Sequence, residues 1–136
     1  MGSRADYPQD MDRTDVGSQS PYEEAIGFRR GVRLGHTIAV SGTAPVWPDG
    51  HVDPDPATQA RRCWEIALEA LVHLGGTRED VIRTRQYLVD GAHANAVGAV
   101  HGEVFGAVLP ASTMVVVAAL LDDRWLVEVE LDAVID

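Results

Sequence analysis

The alternation of apolar and polar positions is strongest between Leu109 and Asp132, where LPASTMVVVAALLDDRWLVEVELD reads as two strands. Met114, Val115, Val116 and Val117 are mostly β-branched, whereas Leu126 to Glu130 alternates apolar with acidic side chains. Asp122-Asp123 supplies turn residues between them, so the pattern predicts an antiparallel hairpin. The first strand is apolar at nearly every position, which predicts burial on both of its faces. The second places Glu128 and Glu130 on one face, where two carboxylates require water, donors or a cation.

Upstream the periods change. Residues 1–19 are rich in Asp, Ser and Gly without a hydrophobic period and are expected to form a disordered, mobile tail ahead of a domain spanning residues 20–136. Phe28–Val32 and Thr37–Ser41 alternate around Leu34-Gly35-His36, a first hairpin. Pro48, Gly50 and Pro54 mark the following stretch as loop. Asp55 and Pro56 then suit the N-cap and first position of a helix, on which Cys63, Ile66, Ala67, Ala70, Leu71 and Leu74 recur at helical spacing before Gly75-Gly76. After a bend at Thr77–Asp80, Val81–Val89 returns to strand character, Asp90–Asn95 reads as a loop, and Ala96–Phe105 as a second helix despite Gly98 and Gly102. The order β-β-α-β-α-β-β predicts an α+β domain with two helices on one face of a mixed sheet. With the other face uncovered and apolar, oligomerisation is the expected way to hide it.

Composition narrows the partners. At 136 residues and 46% hydrophobic content the chain fits one small domain with one core. A formal net charge of −10 and a pI near 4.7 disfavour nucleic acid and anionic membrane surfaces as partners. The single cysteine, Cys63, excludes an intramolecular disulfide framework, and neither a leader nor a spanning segment is evident, so a cytoplasmic location is expected. The five histidines lack HExxH-type spacing and Gly75-Gly76 lacks a following lysine, so no metal or cofactor is expected.

Four stretches carry a resemblance. Ser20-Pro21-Tyr22, then Leu34-Gly35 leading to Val40-Ser41-Gly42-Thr43-Ala44-Pro45, then Gln59-Ala60-Arg61 opening a helix, and finally Pro110-Ala111-Ser112-Thr113 with the Val-Glu-Val-Glu strand follow the order of the Rid family of YjgF-like imine and enamine deaminases. The resemblance runs from about Ser20 to Ala133. It implies a chorismate-mutase-like subunit and a homotrimer whose sheets close around a central β-barrel, with small-molecule pockets between subunits. Ribonuclease activity has also been attached to relatives, and the acidity of this chain weighs against carrying it over.

Residue by residue, Glu128 matches the family's pocket glutamate, which positions water or exchanges a proton in C=N hydrolysis; Glu130 reads as structural. Tyr22 matches a tyrosine near the pocket mouth, and Glu24, with Glu23, follows it. Ser112 stands where deaminating members carry an arginine that holds the substrate carboxylate. One neutral hydroxyl replaces a charged bidentate fork, so the usual 2-imino acids are not expected as substrates. As a nucleophile Ser112 lacks an evident base in the nearby sequence, and a bond to backbone is the expected role. Arg85, sharing a strand face with Arg83 and Tyr87, is a candidate replacement cation, weighed against a salt bridge to Glu128 or Glu130. Met114 joins the candidate substrate contacts. His101 reads as a packing or rim residue and Cys63 as a small buried hydrophobe. The expected function is a hydrolytic deaminase acting on an imine, enamine or amino-dienoate. The alternatives are a non-catalytic trimer that binds a small metabolite and a trimer with a purely structural role.

Overall fold

The computed structural model describes residues 12–136, so the first part of the expected tail, residues 1–11, lies outside the described residues. In chain order the elements are β1 (Arg13–Val16), α1 (Tyr22–Ile26), β2 (Gly31–Leu34), β3 (Thr37–Thr43), α2 (Pro56–His73), β4 (Val81–Leu88), α3 (Ala94–Phe105), β5 (Ala111–Val116) and β6 (Val127–Val134). They build one six-stranded mixed sheet of order β1-β2-β3-β6-β4-β5. Two elements exceed the sequence reading. Arg13–Val16, assigned above to the mobile tail, is an edge strand antiparallel to β2, and Tyr22–Ile26 is a short helix. Arg29 holds both in place through ion pairs to Asp15 at 3.0 Å and Glu23 at 3.1 Å. Neither contact has a periodic signature in sequence.

The terminal hairpin does not form. β4 lies between β5 and β6, pairing parallel to β5 and antiparallel to β6. The physical reason is α3, which carries the chain from the end of β4 back along the sheet and so brings β5 in parallel, as a helical crossover must. Asp122 does turn the chain, accepting from Arg124 N at 2.9 Å through its side chain and from Trp125 N at 3.1 Å through its carbonyl, but within a longer connection over residues 117–126. β5 is also less buried than its composition predicts: Met114 packs partly against the core, while Val115 and Val116 are 41% and 59% exposed. The first hairpin is present, although β2 spans Gly31–Leu34 and not Phe28–Val32, and α3 begins at Ala94, inside the expected Asp90–Asn95 loop. The β2–β3 hairpin turns at Gly35, whose φ of 60° favours glycine.

The core lies between the sheet and the two long helices. Asp55 caps α2 by accepting from Thr58 N at 2.9 Å, a contact worth about 1 kcal/mol, and Pro56 occupies the first position. The helix ends as Gly75, at φ 93°, and Gly76 return their N–H groups to Val72 and Leu71. Its buried face, Ala60, Cys63, Trp64, Ala67, Ala70 and Leu71, meets Val127, Val129, Leu131 and Ala133 of β6 and Val97, Val100 and Phe105 of α3. Trp64 stands edge-on to Phe105, with ring centroids 4.9 Å apart. Gln59, 1% exposed, ties the loops down: Nε2 donates to Asp53 O and Arg124 O, and Oε1 accepts from Leu126 N at 2.8 Å. That last bond delivers the chain into β6 in register, and the position of Glu128 follows from it.

Candidate active site

β6 alternates Val127, Val129, Leu131 and Ala133 into the core with Glu128, Glu130 and Asp132 on the opposite face. On β4, Thr84, Gln86 and Leu88 face the core, so Arg85 and Tyr87 share the acidic face. A register irregularity between Val81 and Arg83 turns Val81 inward and leaves Ile82 53% exposed, against the simple alternation expected for this strand. Cross-strand pairing sets Tyr87 opposite Glu128 and Arg85 opposite Glu130.

The carboxylates on this face are not equivalent. Arg85 Nη1 lies 3.3 Å from Asp132 Oδ2 and 3.6 Å from Glu130 Oε1, and the Tyr87 hydroxyl donates to Glu130. Arg85 is therefore engaged by two acids on its own sheet, and Glu130 is a structural partner. Glu128 has neither contact, and among the described residues no hydrogen bond supports its charge. Burial, and then the charge of Glu130, push its carboxyl above the usual range, with Arg30 opposing.

Glu128 faces β3 where the pairing of β3 with β6 shifts between Val40 and Thr43. A Cβ at Gly42 would stand 3.1 Å from Glu128 Oε2, so glycine at this irregularity makes room for the carboxylate. Arg30 spans the same irregularity, donating to Gly42 O at 3.2 Å and Thr43 Oγ1 at 3.0 Å. Its half-buried guanidinium holds its proton less firmly because of burial, while Glu23 and Glu128 oppose that loss. Sequence reasoning missed Arg30. The available signal was the Arg29-Arg30 pair entering the first hairpin of a strongly acidic chain.

Beside this constellation an open cleft of about 820 Å³ is lined by Ser20, Glu23, Glu24, Arg29 and Ser41 among others. Glu24 is thus placed at a cavity wall, whereas Tyr22 is 62% exposed. Glu23 is not a solvated partner of Glu24. It is 9% exposed, and bonds from Ser18 lower its pKa. Neither this cleft nor a second hollow, of about 400 Å³ at Trp47, Pro48, Asp49 and His51, is lined by Glu128, Arg30 or Gly42.

Ser112 and Met114 lie elsewhere. Ser112 pairs with Thr84 and shares its face, so within one chain Ser112 and Glu128 occupy opposite faces of the sheet. The Ser112 hydroxyl is bonded not to backbone, as expected, but to Thr84 Oγ1 at 2.8 Å, and His101 Nε2 is 3.5 Å away. The histidine that sequence separation concealed is thus brought close by α3. Met114 packs on the helix side, its Cε 3.8 Å from a Cβ position at Gly98. Cys63 is fully buried and its thiol pKa is pushed up by burial, as befits a small hydrophobe.

The profile of the Endoribonuclease L-PSP family matches residues 18–135. A crystal structure of Rv2704 from Mycobacterium tuberculosis, described as a member of the YjgF/YER057c/UK114 family, superposes with a TM-score of 0.84 at 39% identity, covering 91% of this chain and 100% of that one. The chain belongs to the YjgF/YER057c/UK114 family. It is also similar to the uncharacterized protein SCO2049 of Streptomyces coelicolor, with 40% identity over 119 residues, 87% of this chain and 89% of that protein. Escherichia coli TdcF, solved with bound serine, matches at 27% identity and a TM-score of 0.77, covering 90% and 94% of the two chains. The mixed sheet with two long helices is the chorismate-mutase-like arrangement of this YjgF-like family. Among the described residues no helix is long and apolar enough to cross a membrane.

Proposed function

We propose that this YjgF-family chain is a small-molecule hydrolase that deaminates an imine, enamine or amino-dienoate, with Glu128 as the acid–base group. The observation that carries the reading is Glu128 itself, a half-buried carboxylate without a hydrogen bond, held toward its neutral form against Gly42. A carboxyl poised in this way can give a proton to the leaving amine and take one from attacking water. Bound serine in TdcF supports a ligand of amino-acid size in this fold. It also favours the second reading, a cleft that binds a small metabolite without turnover. An ammonia-release screen over imines and amino-dienoates separates the two; release from none of them would favour the binder.

The substrate is expected to lie outside the common 2-imino acids. No arginine occupies position 112, and Arg85 is engaged by Asp132 and Glu130. Turnover of 2-iminopropionate should therefore fall one to two decades below that of an arginine-bearing relative, the equivalent of roughly 1.5–3 kcal/mol for one lost charge-assisted contact. Equal turnover by the two proteins would contradict this assignment.

The site is assembled between copies. Ser112 and Glu128 sit on opposite faces of one sheet, so a ligand touching both must meet them from two chains. The exposed Val115 and Val116 on edge strand β5 supply apolar surface for that contact. A homotrimer is the expected species in sedimentation at micromolar concentration, and a clean monomer would remove the shared cleft.

A further inference from the structure

Just before β2, a single arginine engages three consecutive residues of β3. The Arg30 carbonyl accepts from Ser41 N at 2.8 Å, and its Nη1 donates to Gly42 O at 3.2 Å and to Thr43 Oγ1 at 3.0 Å. The direction of these bonds follows from the groups themselves, because a guanidinium only donates and a carbonyl only accepts. Thr43, 0% exposed, therefore accepts from Arg30 and gives its own proton to Ser41 O, 2.8 Å away. Arg30 thus closes the register irregularity that lies between Val40 and Thr43. Glu128 meets the same stretch, its Oε2 3.1 Å from the place of a Gly42 Cβ.

We infer that Arg30 is a positioning residue for Glu128: it pins the Ser41–Thr43 backbone against which the carboxylate rests and stands beside it as an unneutralised positive charge. Arg29 is engaged by Asp15 and Glu23, and Arg85 by Asp132 and Glu130. Arg30 is bonded to neutral oxygens alone, and among the described residues no carboxylate lies within ion-pair distance of it. Half-buried, its charge is screened less than a surface charge would be. The other groups around Glu128 are negative or neutral. Glu130 follows on the same strand, the Tyr87 hydroxyl opposite on β4 is held protonated by Glu130, and burial keeps Cys63 on α2 a neutral thiol. Glu23 of α1 acts on Arg30 from its far side. Arg30 is the cation that opposes burial and Glu130 at this carboxyl. Without it Glu128 would move further toward the protonated form, still able to give a proton but less able to take one from water. That consequence for turnover rests on the acid–base role proposed above; the coupling of the two charges does not.

Carboxyl ¹³C spectra of the full chain with labelled glutamate follow the titration of Glu128, its resonance being the one lost in Glu128→Gln. Arg30→Gln is expected to raise that titration by roughly half to one pH unit, the effect of removing one nearby opposite charge. Arg30→Lys, which keeps the charge, should return at least half of the shift. Amide exchange at Gly42 and Thr43 should quicken about tenfold in Arg30→Gln, since the segment loses its bonds to the guanidinium. Arg30→Met removes the same charge and serves if Arg30→Gln does not fold. An unmoved Glu128 titration, or equal shifts in Arg30→Lys and Arg30→Gln, overturns the inference; faster exchange alone would leave Arg30 a structural clasp. A shifted titration in a protein whose turnover ignores Glu128→Gln would uphold the coupling and remove the acid–base role instead.

Discussion

Glu128→Gln is expected to lower turnover of an imine or enamine substrate by roughly 10²–10⁴-fold while the fold and most ligand affinity persist. The amide keeps the shape and one acceptor oxygen but cannot exchange a proton. A binding protein would show altered affinity alone, and unchanged turnover would exclude Glu128 as the acid–base group. Ser112→Arg should shift preference toward carboxylate-bearing imines, because the fork absent from the wild-type edge is restored. Glu128→Gln also has a stability arm. The folded state raises the Glu128 pKa, chiefly through burial, so folding favours the protonated form. That contribution is fully present below the ordinary carboxylate range and is lost as pH rises through the raised value. The substitution should therefore raise Tm more at pH 7 than at pH 4. A gain of equal size at both would mean that the carboxylate is not strained by its surroundings.

Trp64→Ala should cost about 3–5 kcal/mol in chemical denaturation, since it empties the centre of a packed core. Trp64 is 1% exposed and contacts both Phe105 and His101 across the α2–α3 interface. The His101 ring loses one of its walls in the same step. A cost below 1 kcal/mol would show that the helices close over the gap and that the aromatic cluster contributes little.

What the sequence revealed divides along physical lines. The Asp55–Pro56 start of α2, the Gly75-Gly76 stop and the two-faced pattern of β6 are local, so propensity, capping and alternation were enough to find them. The placement of β4 between β5 and β6 is a pairing choice that alternation does not encode, because a strand pattern specifies faces and not partners. The same limit hid Arg30, whose value comes from a register irregularity in β3, and His101, which comes within reach of Ser112 only when α3 folds back over β4. Arg85 was legible as a cation on the acidic face, but its engagement by Asp132 depends on a diagonal contact between strands. Edge strand β1 was missed because Arg13–Val16 has too few apolar residues to announce itself.

The position of β6 has a consequence for how the protein is made. This strand is synthesised after β3 and β4, yet it is the seam that joins them, with β1-β2-β3 on one side and β4-β5 on the other. Until it inserts, a nascent chain holds two half-sheets whose facing borders are unpaired, and long-range pairing of this kind is slow and prone to stray association. Glu128 travels on the seam itself. A half-built molecule therefore lacks the setting of Glu128 between β3 and β4, and quality control of the sheet is at the same time quality control of the proposed site.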